Sequence, residues 1–83
     1  MSINIIKINE AEYLKNYMIS LSFNDGVKRI IDLNNFLKNS RNPMTRKYLN
    51  KSNFKKFKVE FGDLVWGDYE MCFPIWDLYN GEI

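Results

Sequence analysis

The sequence comprises 83 residues, of which 46% are hydrophobic and 16% aromatic, and it carries a formal net charge of +2. This length predicts one domain spanning residues 1–83, and the apolar content argues against an intrinsically disordered chain. The lack of histidine and the single cysteine exclude Ser-His-Asp and Cys-His catalytic arrangements, zinc sites built from these residue types, and an internal disulfide.

Three strands are predicted in the first third of the chain, over residues 3–8, 17–23 and 27–31. The second of these alternates between apolar and polar side chains, which is typical of a half-buried strand. Its apolar face is formed by Tyr17, Ile19, Leu21 and Phe23.

A tight hairpin is predicted between the second and third strands. Asp25 and Gly26 tolerate the backbone angles that such a turn demands. As a two-residue turn they would place Leu21 opposite Ile30, so that one apolar face continues across both strands.

Short helices are predicted in the middle of the chain. Asp32 is typical of an N-cap, and Pro43 is tolerated at the first position of a second helix after residues 39–42 interrupt the first. The apolar stripe of the first helix is formed by Leu33, Phe36 and Leu37.

The last third predicts a second hairpin, with strands over residues 57–61 and 64–66 joined by a turn at Gly62 and Asp63. Residues 70–73 allow a further short strand before a proline. The element order β-β-β-α-α-β-β predicts a small α+β domain, a mostly antiparallel sheet of two hairpins with short helices between them.

Charges are segregated along the chain. Residues 1–32 are balanced, residues 33–59 hold eight basic residues and no acid, and residues 60–83 hold six acids and no base. This asymmetry is typical of an electrostatic binding face, or of two segments that lie side by side and neutralise each other.

The chain resembles a family of small bacterial proteins, the domain of unknown function 2442, from about residue 3 to residue 79. The resemblance rests on the spacing of Leu21, Phe23, Asp25, Gly26, Asp32, Leu33, Phe54, Phe57, Val59, Gly62, Trp66, Pro74, Leu78 and Tyr79. It implies a fold more than a function, because the family has no established activity. The resemblance implies that members are often encoded beside another small protein in toxin-antitoxin-like pairs. Some members carry an added helix-turn-helix, which we do not expect in these 83 residues.

Candidate binding residues lie mainly in the basic segment 38–58. They are Arg41, Arg46, Lys47, Lys51, Lys55 and Lys56, to which Trp76 is added as a candidate surface anchor. Aromatic residues are interleaved with these cations, so that the segment could hold phosphates while rings stack on unpaired bases. If the rings are buried instead, the cations form a plain basic face suited to an acidic protein.

Other candidate sites are weaker. Asp63, Asp68 and Glu70 could hold a metal through carboxylates alone, although three acids near turns more often form a solvated rim. Cys72 lies in an apolar run and is predicted to act as a small hydrophobe, and Trp66 is predicted to fill the core.

These observations predict that the chain is not an enzyme and needs no cofactor. The leading hypothesis is a protein-interaction module, the antitoxin-like partner of a small neighbouring protein. The alternative is weak nucleic-acid binding through the basic segment. No apolar run approaches the roughly 20 residues that a membrane span requires, the N-terminus lacks the features of a secretory signal, and a lone cysteine suits a reducing cytoplasm.

Overall fold

The N-terminal half of the chain forms an antiparallel sheet of three strands in the order β1-β2-β3. The computed structural model describes residues 5–67 and 69–81. The strands are β1 (Ile8–Tyr13), β2 (Met18–Phe23) and β3 (Lys28–Asp32). The predicted alternation of β2 is confirmed, since Ile19, Leu21 and Phe23 are buried.

The predicted position of the first strand was wrong. Residues 3 and 4 lie outside the described residues, and β1 begins only at Ile8, where the prediction ended. The chain before β1 is held by other contacts: Asn24 donates its side-chain amide to the Ile5 carbonyl (2.7 Å) and accepts from the Lys7 N–H (3.1 Å). The isoleucine-rich run therefore packs Ile6 into the core as irregular chain rather than as a strand.

The predicted register of the first hairpin was also wrong. The turn contains three residues, 24–26, and it places Leu21 opposite Arg29 and Ser20 opposite Ile30. Its last residue is a glycine with φ +90°, the arrangement of a three-residue turn that ends in a bulge. Because the extra residue shifts the pairing by one, it turns Ile30 from the core to the opposite face, where it is 60% exposed.

Short helical pieces connect the two halves of the chain. They are α1 (Asn34–Asn39), α2 (Pro43–Arg46), a 3-10 turn over Lys47–Leu49, and α3 (Lys51–Phe54). The N-cap predicted at Asp32 was wrong by one residue, since Leu33 occupies that position, and the Asp32 carboxylate accepts instead from the backbone N–H of Asn34, two residues on (2.9 Å).

The C-terminal half forms a second antiparallel sheet, in the order β4-β5-β6, followed by a helix. These elements are β4 (Lys58–Glu60), β5 (Asp63–Trp66), β6 (Met71–Cys72) and α4 (Ile75–Asn80). Since every strand pair among the described residues is antiparallel and the helices are short, the α+β class is confirmed, with the two predicted hairpins in separate sheets of three strands each.

The turn of the second hairpin lies one residue earlier than predicted. Glu60 pairs with Asp63, so the two-residue turn consists of Phe61 and Gly62, both with positive φ (53° and 82°). Two positive φ angles define the hairpin turn whose twist matches that of the strands. Phe61, predicted to lie in the alternating strand, sits instead at the tip of the turn and is 87% exposed.

One hydrophobic core joins both sheets and the helices, and Trp66 lies in it with no exposed surface, as predicted. The indole nitrogen donates to the Phe54 carbonyl (2.8 Å). Cys72, predicted from its apolar run to act as a small hydrophobe, is exposed on β6. Adjacent side chains of a strand point to opposite faces. In the two-residue strand β6, Met71 is therefore buried and Cys72 faces outward.

Candidate functional site

The basic segment is packed against the core through the buried side chains of its short helices. Each of its short helical pieces buries one residue, and these residues are Leu37, Thr45, Tyr48 and Phe54. The cations point outward from the same pieces and are exposed. The cations are therefore attached to a packed base of buried side chains, which restricts the positions that their charges can take.

The aromatic residues of the segment belong mainly to this base. Tyr48 and Phe54 are buried, and the rings of Phe54 and Phe57 pack against Trp66 at 5.6 and 5.9 Å. Phe36, predicted to share the apolar stripe of α1, is 39% exposed and meets the Phe73 ring edge to face at 5.0 Å. The rings that were candidates for stacking on bases thus pack largely against other aromatic rings of the protein.

Two lysines of the α3 region lie over tyrosine rings at the turn end of the β1-β2 hairpin. The Lys55 ammonium is 4.9 Å from the centre of the Tyr13 ring, and the Lys51 ammonium is 5.9 Å from that of Tyr17. Such cation-π contacts orient a lysine without neutralising its charge. Tyr17 is itself fixed, because its hydroxyl donates to the Leu49 carbonyl.

A third lysine takes part in a polar cluster beside the core. Lys47 forms an ion pair with Glu70, whose same oxygen accepts from the Tyr48 hydroxyl (2.8 Å). The hydrogen bond from Lys47, helped by that from Tyr48, holds the pKa of the Glu70 carboxyl below its ordinary value. Burial, together with the neighbouring carboxylate, raises the pKa of Tyr48 to about 12. At neutral pH the tyrosine is therefore a neutral donor and the glutamate an anion.

An open pocket of about 590 Å³ extends from this cluster. Lys47, Lys56 and Lys58 line it, together with Asn53 and Glu70. A second ion pair, between Lys58 and Glu60 (3.1 Å), lies on the neighbouring strand. We call Lys47, Lys51, Lys55, Lys56 and Lys58 together the basic face.

The two candidate arginines lie outside the basic face. Arg46 donates from its guanidinium to the carbonyls of Ser40 (3.0 Å) and Lys38 (3.4 Å), and so closes the connection between α1 and α2. Arg41 is exposed in that connection. Arg46 is therefore engaged within the chain, whereas Arg41 is directed to solvent.

The acidic C-terminal segment covers the basic segment only in part. Within residues 5–67 and 69–81, its ion pairs with that segment are those of Glu70 and Glu60. Neither involves Lys51, Lys55 or Lys56, which remain exposed. The described charges are thus not neutralised side by side along their whole length.

The remaining candidates are dispersed. Asp68, one of the three acids considered for a metal, lies outside the described residues, and no metal-binding group of acids, cysteine and histidine occurs among the residues that are described. Trp76, 51% exposed, projects from α4, whose nearest strand is β3, and its ring contacts Tyr79 at 5.4 Å. Trp76 therefore belongs to a different part of the fold from the helices of the basic face.

Two exposed apolar residues were missed by the sequence interpretation, Ile30 on β3 and Phe61 at the second hairpin tip. Ile30 is exposed because the first turn is one residue longer than predicted, and Phe61 because the second turn lies one residue earlier than predicted. The sequence contained a signal for each turn. Asn24-Asp25-Gly26 suits a three-residue turn, and Phe61-Gly62, with glycine in second place, suits a two-residue turn.

Comparison with known proteins identifies the family. The family described as "Protein of unknown function (DUF2442)" matches residues 8–83, which is nearly the whole chain. No curated protein and no solved structure matches the chain. No helix among the described residues is long and apolar enough to cross a membrane. The resemblance expected from the apolar and turn residues is therefore confirmed, and the chain belongs to the DUF2442 family.

Proposed function

We propose that this protein is an interaction module that binds an acidic surface of another small protein through the basic face. The observation that carries the proposal is the exposure of Lys51, Lys55 and Lys56 on a packed base, without a carboxylate partner among the described residues. Unpaired cations held in place favour a partner of opposite charge, and they accelerate encounter as well as select the partner. Binding, and not catalysis, is the proposed activity.

A protein partner is favoured over nucleic acid by the aromatic residues and by Glu70. Single-stranded nucleic acid is typically bound by a positively charged groove together with exposed rings on which bases stack. Here Tyr48 and Phe54 are buried, and the Glu70 carboxylate lies inside the lysine-lined pocket, where it would repel a phosphate. A protein partner can accommodate lysines and a glutamate on the same surface, because its own carboxylates and hydrogen-bond donors can be placed opposite each of them.

The resemblance to the family supplies the candidate partner, a small protein encoded beside this one in an antitoxin-like pair. Such a partner would meet the chain in the cytoplasm, which is the compartment we propose. The partner surface is expected to be rich in Asp and Glu and to lie against α3.

The test begins with capture of the tagged protein from nuclease-treated extract of the source cells, and then measures the affinity of the purified neighbour-encoded protein. We expect the double variant Lys51→Glu/Lys55→Glu to bind at least tenfold more weakly, since each reversal replaces an attraction by a repulsion. Lys7→Glu is the charge-change control and should bind as the wild type does, because Lys7 is exposed just before β1, at the end of that strand away from Tyr13.

Competition with unrelated DNA distinguishes the two hypotheses. A protein interface should resist this competitor. Loss of all captured material on nuclease treatment, or displacement of the partner by DNA, would reject the protein-interaction proposal and favour phosphate binding through the same lysines.

A further inference from the structure

β3 is an outer strand of its sheet, and within the described residues it pairs with β2 alone. At one end of this pairing the Phe23 N–H donates to the Val27 carbonyl (2.9 Å). At the other end the Leu33 N–H donates to the Tyr17 carbonyl (3.0 Å). Because alternate residues of an antiparallel strand direct their backbone groups to opposite sides, every second residue between these ends points away from β2. These residues are Lys28, Ile30 and Asp32.

The outward backbone groups of β3 are free to pair with another strand. In the part of the chain that the structure describes, no hydrogen bond uses the backbone N–H or C=O of these three residues. Their side chains are exposed, and Ile30 lies between a lysine and an aspartate on the face of the sheet that is turned away from the core. A free edge with an exposed apolar residue favours pairing with a further strand.

We propose that this edge pairs antiparallel with β3 of a second copy of the chain, with Ile30 opposite Ile30 at a two-fold axis. In this register Lys28 of each copy lies opposite Asp32 of the other. All three positions are among those whose backbone groups point outward, so each would form a hydrogen-bonded pair. The strand is thus complementary to itself in apolar character, in charge and in backbone direction.

Other registers lose this match. A shift by two residues places Lys28 opposite Ile30 and leaves the aspartates without lysine partners. Parallel pairing in register sets lysine beside lysine and aspartate beside aspartate, which is destabilising. The charge pattern therefore selects the two-fold antiparallel arrangement, and hence a closed dimer rather than an open chain of copies.

The paired sheet would have six strands, in the order β1-β2-β3 followed by the same strands of the second copy in reverse. The three hydrogen-bonded pairs would exchange about six backbone hydrogen bonds. None of the lysines of the basic face lies on this edge. The proposal is thus independent of the proposed function, and a failure of either can be told from a failure of the other.

The first experiment measures the mass of the purified protein by light scattering and sedimentation over a range of concentrations. We expect the wild type to reach twice the monomer mass and Ile30→Lys to remain monomeric, because the change sets two lysines against each other at the axis. Leu14→Lys, another exposed apolar residue, is the matched control and should dimerise. Circular dichroism verifies that each variant is folded.

The second experiment tests the register with cysteines in a Cys72→Ser background. Residues in a hydrogen-bonded pair have Cα atoms about 5.5 Å apart, within the range of a disulfide, so Ile30→Cys should form a covalent dimer on mild oxidation. Lys28→Cys is the control, since in this register the two copies of residue 28 lie roughly 14 Å apart along the strands. A wild type that stays monomeric, a dimer that Ile30→Lys leaves intact, or equal cross-linking at both positions would overturn the proposal.

Discussion

Replacement of Trp66 by phenylalanine tests how the basic face is held in place. Trp66 lies on β5 with no exposed surface, and its indole N–H donates to the carbonyl of Phe54, the last residue of α3. This bond ties the helix that carries Lys51 to the second sheet. Trp66→Phe keeps an aromatic ring but removes the donor.

The expected loss of stability has two parts. The Phe54 carbonyl loses its partner, which costs about 1–3 kcal/mol for a buried acceptor. The smaller ring leaves a small cavity, which adds roughly 1 kcal/mol. The sum of about 2–4 kcal/mol is a large share of the roughly 4–12 kcal/mol expected for a domain of this size.

Thermal unfolding followed by circular dichroism measures this loss. A change of 1 kcal/mol lowers the Tm of a domain of this size by roughly 4–8 °C, so Trp66→Phe should lower it by roughly 8–30 °C. Trp76→Phe is the control, because Trp76 is half-exposed and should tolerate the change with little effect. A shift of only a few degrees for Trp66→Phe, or equal shifts for both variants, would refute the role assigned to the indole.

Two further predictions concern the second half of the chain. The ion pair with Lys47 lowers the pKa of Glu70, so the carboxylate stabilises the fold above its unfolded-state pKa of about 4.3 and this contribution disappears as the pH falls through the lower folded-state value. Thermal melts of the wild type and Glu70→Gln should therefore differ at pH 7, and the difference should shrink as the pH is lowered below about 4.3. A difference that stays constant with pH would contradict this. Gly62→Ala should cost more stability in urea unfolding than Gly26→Ala: both glycines have positive φ, but only at Gly62 would the new Cβ meet Lys7, at 2.8 Å, whereas at Gly26 it meets open space. Equal losses would show that the close contact relaxes freely.

The strands of this fold other than β1 were largely predictable, but the registers of the two hairpins were not. The alternation over β2 identifies its buried face directly, since a strand buried on one side leaves a period of two in the sequence. Register depends in addition on turn length, and Asp25-Gly26 fits a two-residue turn as well as the end of a three-residue one. The observed turn includes Asn24, whose side chain donates to the Ile5 carbonyl, a contact with the chain before β1 that no local pattern indicates.

The candidate site was predictable in its charges and not in their arrangement. Eight basic residues without an acid were evident in the sequence, and Lys51, Lys55 and Lys56 are exposed as a basic face requires. Which of the cations are engaged within the chain depends on long-range contacts. Lys47 meets Glu70 only because β5 and β6 bring the acidic segment back beside the helices.

The two proposed binding surfaces lie at opposite edges of the first sheet, so both can be occupied at the same time. Lys55 rests on Tyr13 of β1, one outer strand of the order β1-β2-β3, whereas the proposed dimer axis passes beside Ile30 on the other outer strand. Pairing through β3 would therefore leave the basic face of each copy at an outer end of the six-stranded sheet. Such a dimer would present two basic faces at once, and binding of an acidic partner that is itself multivalent would be strengthened through effective concentration, without any new contact.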